Sequence, residues 1–155
     1  MRYLLAMLLL MGFSELHAQV RLLSLDELDK RVSKGKDTTY VINFWATWCS
    51  PCIAELPEFE KIGKTYASKP VKVLLVSVDF KSKIQKEVIP FVKKQGFKSE
   101  VFLLNESSQQ EYISRVSENW SGAIPATLFI RNKKRYFFER SFTYLELEEQ
   151  LRKAK

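Results

Sequence analysis

Two rhythms of apolar positions alternate along this chain, and each switch between them marks the edge of an element. SLDELDKRV sets Leu25, Leu28 and Val32 at helical spacing, with Ser24 and Glu27 placed to form a capping box. After KGKD the pattern becomes YVINFWA, a nearly continuous β-type run of the kind found in strands buried on both faces. From Pro51 it turns helical again through IAELPEFEKIGKTYA, where the internal Pro57 predicts a kink. VKVLLVSVDF reads as a second buried strand, KSKIQKEVIPFVKKQGF as an amphipathic helix interrupted at Pro90, and EVFLL as a short third strand. SSQQEYISRV predicts a helix beginning near Ser107, with Gln110 completing the cap. ATLFI and RYFFERSF are two further strands, joined as a hairpin by the basic turn RNKKR. Thr143 and Glu146 then cap a closing helix, TYLELEEQLRKAK, whose basic end suits its dipole. Strands alternating with helices, followed by a hairpin and a helix, predict a small α/β sandwich in which the first two main strands run parallel.

The first residues stand outside this pattern. MRYLLAMLLLMGFSELHAQV begins with Arg2, is apolar from Tyr3 to Phe13 and turns polar before Ala18, the layout of a secretory signal peptide. The apolar run is shorter than the roughly 20 residues that span a bilayer, which favours cleavage after Ala18 over retention as an anchor. The expected organisation is therefore a signal peptide over residues 1–18 and one domain over 19–155, in a periplasmic or otherwise extracytoplasmic location. A residual membrane anchor is the alternative. Cleavage there removes the only histidine, His17, which argues against Ser-His-Asp or Cys-His catalysis and against a zinc or copper site.

Composition changes this picture little. Of 155 residues, 46% are hydrophobic and 28% charged, which suits one ordinary globular core rather than disorder. The net charge of +7 gathers in short clusters such as Lys133-Lys134-Arg135. Without a nucleic-acid-binding motif, this reads as a solvated basic surface, and no nucleic-acid partner is expected.

The candidate chemistry lies in FWATWCSPC, which holds the only two cysteines, Cys49 and Cys52. At positions i and i+3 of a helix start they are close enough to bridge. The first sits where unpaired backbone N–H groups and the helix dipole favour a thiolate, the nucleophilic form. Pro51 fits such a first turn. Cys49 is thus expected to be the exposed attacking thiol and Cys52 the buried one. A zinc site would need more ligands than one pair supplies. A structural staple closing so short a loop would remove little chain entropy. Redox exchange is favoured over both.

VINFWATWCSPCIAELPEFE resembles the active-site segment of thioredoxin-fold proteins, in particular the TlpA/ResA-like exported thiol-disulfide oxidoreductases, and SGAIPATLFI supplies a second anchor of the resemblance. The implied fold is thioredoxin-like, a central mixed β-sheet flanked by helices. The implied activity is disulfide exchange with protein partners: Cys49 attacks a partner's disulfide and Cys52 releases the mixed disulfide. The resemblance also places a cis peptide at Ile124-Pro125, facing the cysteines and pairing with the partner chain. Trp48, Ser50 and Pro51 would join it in partner binding. Thioredoxins proper carry a buried aspartate where Asn43 stands here; in the TlpA-type proteins a glutamate matching Glu55 serves instead, which implies a proton-handling role for Glu55. Phe44 and Trp45 are expected in the core, and Trp120 either there or on the rim of the partner groove. No cofactor beyond the Cys49–Cys52 disulfide and no metal are implied. The implied partners are protein thiols and disulfides and a membrane electron donor, with the protein acting as a monomeric reductant. A thioredoxin-fold module that binds clients or metal without turnover is the alternative. A peroxidase is disfavoured, because Ala46 fills the place of the peroxiredoxin threonine.

Overall fold

The computed structural model describes residues 19–154. The proposed signal segment lies outside them. Six strands form one sheet in the order β1-β4-β3-β2-β5-β6. They are β1 (Arg21–Leu23), β2 (Thr39–Trp45), β3 (Val71–Ser77), β4 (Glu100–Leu104), β5 (Ala126–Arg131) and β6 (Lys134–Phe138). The helices are α1 (Leu25–Lys34), α2 (Ser50–Thr65), α3 (Ile89–Gln95), α4 (Gln109–Val116) and α5 (Tyr144–Lys153). β2 and β3 pair in parallel across α2, as do β3 with β4 and β4 with β1. β5 runs antiparallel to β2, and β6 to β5, so the sheet is mixed. No helix among the described residues is long and apolar enough to cross a membrane.

Strand parity decides what faces what. Successive β2 side chains point to opposite faces of the sheet. Val41 and Trp45 pack with Leu56, Phe59 and Ile62 of α2 and with Leu147 and Leu151 of α5. Tyr40, Ile42 and Phe44 pack with Leu25 and Leu28 of α1 and with Val116 of α4. Because both faces are covered, all seven β2 residues are buried, as the unbroken apolar run predicts. The same parity turns Asn43, between Ile42 and Phe44, toward α2.

Several expectations need correction. The apolar pattern predicts no strand at Arg21–Leu23, yet three residues there extend the sheet beside β4. Only Leu23 of the three is buried, so the segment carries almost no apolar pattern of its own. The α4 cap is one residue later than expected: the Ser108 side chain accepts from Glu111 N, and Ser107 lies outside the helix. The interruption expected at Pro90 takes the form of a change of helix type within one helical stretch. A 3₁₀ turn (Lys81–Lys83) and a π-helical turn (Ile84–Val88) precede α3. Pro90 has no N–H for the i→i−4 ladder, so it falls at the start of α3, where little is lost. Pro57 lies inside α2, which runs from Ser50 to Thr65. The capping boxes at Ser24–Glu27 and Thr143–Glu146 form as the sequence suggests.

Candidate active site

β2 delivers the chain into a short turn, and Cys49 becomes the N-cap of α2. Its Sγ accepts from the Cys52 backbone N–H at 3.3 Å, the role an oxygen plays in most helix caps. No acidic residue stands in the first turn of α2, so nothing there offsets the positive end of the helix dipole. Cys49 and Cys52 form a disulfide with an S–S distance of 2.03 Å. Ser50 and Pro51, between them, are exposed. Trp48 is 66% exposed beside them.

Cys49 itself is not the exposed thiol the sequence suggested. It is 5% exposed against 0% for Cys52, because the loop before β5 closes over it. Cys49 Sγ lies 3.7 Å from the carbonyl oxygen of Ile124, and the Ile124–Pro125 peptide is cis. Ile124 is half-buried and Pro125 buried. Trp120 explains how that loop is held. It is buried, packs against Phe44, Tyr112 and Phe137, and donates its ring N–H to Ala123 O at 2.7 Å. Trp120 is therefore a core residue that pins the loop rather than a rim residue.

Behind the disulfide lies a polar group in an apolar layer. Glu55 is 4% exposed, one helical turn beyond Cys52 on α2. One of its carboxylate oxygens accepts from Asn43 Nδ2 at 2.8 Å and the other from Phe142 N at 2.7 Å. Burial pushes its pKa up to about 7, and the two hydrogen bonds and the nearby Arg140 charge only partly oppose this. Asn43 Nδ2 also lies 3.3 Å from Thr127 Oγ1, its cross-strand neighbour. Asn43 Oδ1 is buried without a partner among the described residues. Rotation of the Asn43 amide by half a turn would present that oxygen to a protonated Glu55, so the site can satisfy the carboxyl group in both states.

The sequence reading missed a second buried acid. Asp79, at 4% exposure, accepts from Thr47 N (2.9 Å), Thr47 Oγ1 (2.7 Å) and Ser77 Oγ (2.7 Å). It ties the turn that carries Trp48 to the segment after β3. The available signal was an acid ending the long apolar run VKVLLVSVDF, where an exposed charge would be out of place.

Comparison with known proteins bears on the family and the fold. The AhpC/TSA family model matches residues 14–135. A thioredoxin of Malassezia sympodialis is 45% identical over 69 residues, 44% of this chain and 65% of that protein. The thiol-disulfide oxidoreductase ResA of Oceanobacillus iheyensis is 37% identical over 54 residues, 35% of this chain and 28% of its own length. The chain thus spans less than two-thirds of these curated relatives. Among solved structures, a thioredoxin-related protein from Neisseria meningitidis serogroup B superposes with a TM-score of 0.66 at 21% identity, covering 77% of this chain and 86% of the other. At that identity the likeness speaks for the fold alone. The family match takes in both cysteines and the Ile124–Pro125 loop, and the protein belongs to the AhpC/TSA family and has a thioredoxin fold.

Proposed function

We propose that this protein is an exported thiol-disulfide oxidoreductase that reduces disulfides of protein partners through Cys49 and Cys52. The observation that carries the reading is one arrangement. Cys49 caps the start of α2 with Cys52 in its first turn, the Ile124 carbonyl lies 3.7 Å from Cys49 Sγ, and a buried carboxyl of raised pKa stands one turn behind Cys52. In the reduced protein the Cys49 thiolate attacks one sulfur of the partner disulfide. That S–S bond breaks, a Cys49–partner disulfide forms, and the partner's other sulfur leaves as a thiolate. Cys52 then loses its proton to the Glu55 carboxylate and attacks Cys49 Sγ. This closes the Cys49–Cys52 disulfide and releases the second partner thiolate. Two electrons pass to the partner, whose thiolates take up two protons. A pKa of about 7 lets Glu55 accept and return a proton near neutral pH.

Trp48, Ser50 and Pro51 supply the exposed surface around the reacting sulfur, and the backbone at Ile124 and Pro125 pairs with the partner chain beside it. Export is supported by the basic-then-apolar N-terminal sequence, and outside the cytosol the pair would draw its electrons from a donor at the membrane. The test is turnover. Catalytic amounts of protein lacking residues 1–18 are mixed with a disulfide-bonded protein substrate and a small-molecule dithiol as electron source. Reduction of the substrate above the rate given by the dithiol alone is expected. A rate equal to the dithiol alone would leave a client-binding module instead.

A further inference from the structure

Five large apolar side chains among the described residues stand well exposed, and two of them, Trp48 at 66% and Phe80 at 78%, line the same groove. The groove encloses about 450 Å³; Leu104, Tyr112 and Ile124 add apolar wall, and Ser107 and Gln109 line it as well. Ile124, which lines it, also neighbours the disulfide, its carbonyl oxygen lying 3.7 Å from Cys49 Sγ. A larger hollow, about 720 Å³ between α2 and β3, contains none of the residues around the disulfide.

Two features make the groove a built site. Trp48 follows Thr47 and Phe80 follows Asp79, so the Thr47–Asp79 hydrogen bonds hold together the two backbone positions that carry the aromatic walls. The charged side chains that line it are already engaged within the protein. Asp79 accepts from Thr47 and Ser77, Lys81 Nζ donates to Asn105 Oδ1 at 2.8 Å, and Glu106 accepts from Leu25 N at 2.6 Å. The groove therefore offers apolar surface between Trp48 and Phe80 to an incoming chain, with its charged groups already hydrogen-bonded within the protein. Exposed apolar surface of this kind, beside a reactive centre and rimmed by polar groups, marks an interaction site.

We propose that this groove is a specificity pocket for a large apolar or aromatic side chain flanking the reacting cysteine of the partner polypeptide, and that Phe80 sets the preference. The proposal rests on the disulfide-exchange reading and names the class of substrate that exchange would favour: disulfides set in apolar sequence, rather than bare or acidic ones.

The test uses two disulfide-linked peptides that differ only in carrying Phe or Ser next to the cysteine. The rate at which each oxidises the reduced protein is read from tryptophan fluorescence. In the wild type the Phe peptide is expected to react about tenfold faster than the Ser peptide, the advantage of partly burying one aromatic side chain. Phe80→Ser should bring the ratio close to one, and Phe80→Trp should restore it. A ratio near one in the wild type, or a ratio that Phe80→Ser leaves in place, overturns the proposal. Glutathione disulfide, which has no large side chain, reports separately whether the wild type exchanges at all. If it does not, the redox reading falls, and the groove is read from equilibrium binding of the same peptides with serine in place of cysteine. There, equal affinities for the Phe and Ser forms overturn it.

Discussion

Cys49→Ser loses disulfide exchange by a factor on the order of 10³ or more, while Cys52→Ser still attacks once and then stops as a stable mixed disulfide. The asymmetry follows from position. Cys49 is the N-cap of α2 with the unneutralised helix dipole behind it, and it alone of the two keeps any contact with solvent. A serine hydroxyl in its place is not ionised near neutral pH and cannot start the reaction. Cys52 has no exposed surface and is reached only by the neighbouring sulfur. Intact-mass measurement after mixing each reduced variant with a disulfide peptide checks this. Addition of one peptide thiol to Cys52→Ser and none to Cys49→Ser is expected. Adducts on both variants, or on Cys49→Ser alone, would assign the attack to the wrong sulfur.

Glu55→Gln is expected to change two quantities at once. The first is stability against pH. A carboxyl group with an ordinary value of 4.5 in the unfolded chain and about 7 in the folded one keeps its proton longer when folded. Below pH 4.5 it is neutral in both states and has no effect on stability. As pH rises from 4.5 to 7 the unfolded chain ionises first, and the folded protein loses on the order of 3 kcal/mol from this group, fully so above 7. Gln has no such titration, and its amide N–H can pair with the rotated Asn43 Oδ1. Urea unfolding of the oxidised proteins between pH 4.5 and 8 should show the variant gaining on the wild type as pH rises; parallel curves would contradict the buried-acid account. The second quantity is rate. Loss of the proton acceptor slows the Cys52 resolution step by about 10²-fold near pH 7, and leaves the first attack by Cys49 much closer to the wild-type rate. A purely structural glutamate would affect both steps alike.

Much of this site is legible in the sequence, because its parts are consecutive in the chain. A buried strand, WCSPC and a helix start lie within one short stretch, and strand period, cap and Pro51 all agree on where Cys49 must be. Parts built from separate segments were harder to see. Helical spacing puts Glu55 on the Cys52 face, but the Phe142 N–H that binds its buried carboxylate comes from the turn before α5, across the molecule. Asp79 and Thr47 come from the ends of different strands, and neither local pattern announces their contact. β1 was lost for a related reason: three residues with one buried side chain gain their structure from β4, not from their own sequence. The degree of Cys49 burial likewise depends on a loop some distance along the chain, held down by Trp120.

The central claim is that Cys49 and Cys52 form a reductive exchange pair. The most direct measurement is their equilibrium with glutathione, on protein lacking residues 1–18. A reductant gives a reversible two-electron couple toward the thioredoxin end of the range, about −270 mV. A couple near −120 mV would make the protein an oxidant, contradicting the proposed direction. A pair that never exchanges would contradict the account as a whole.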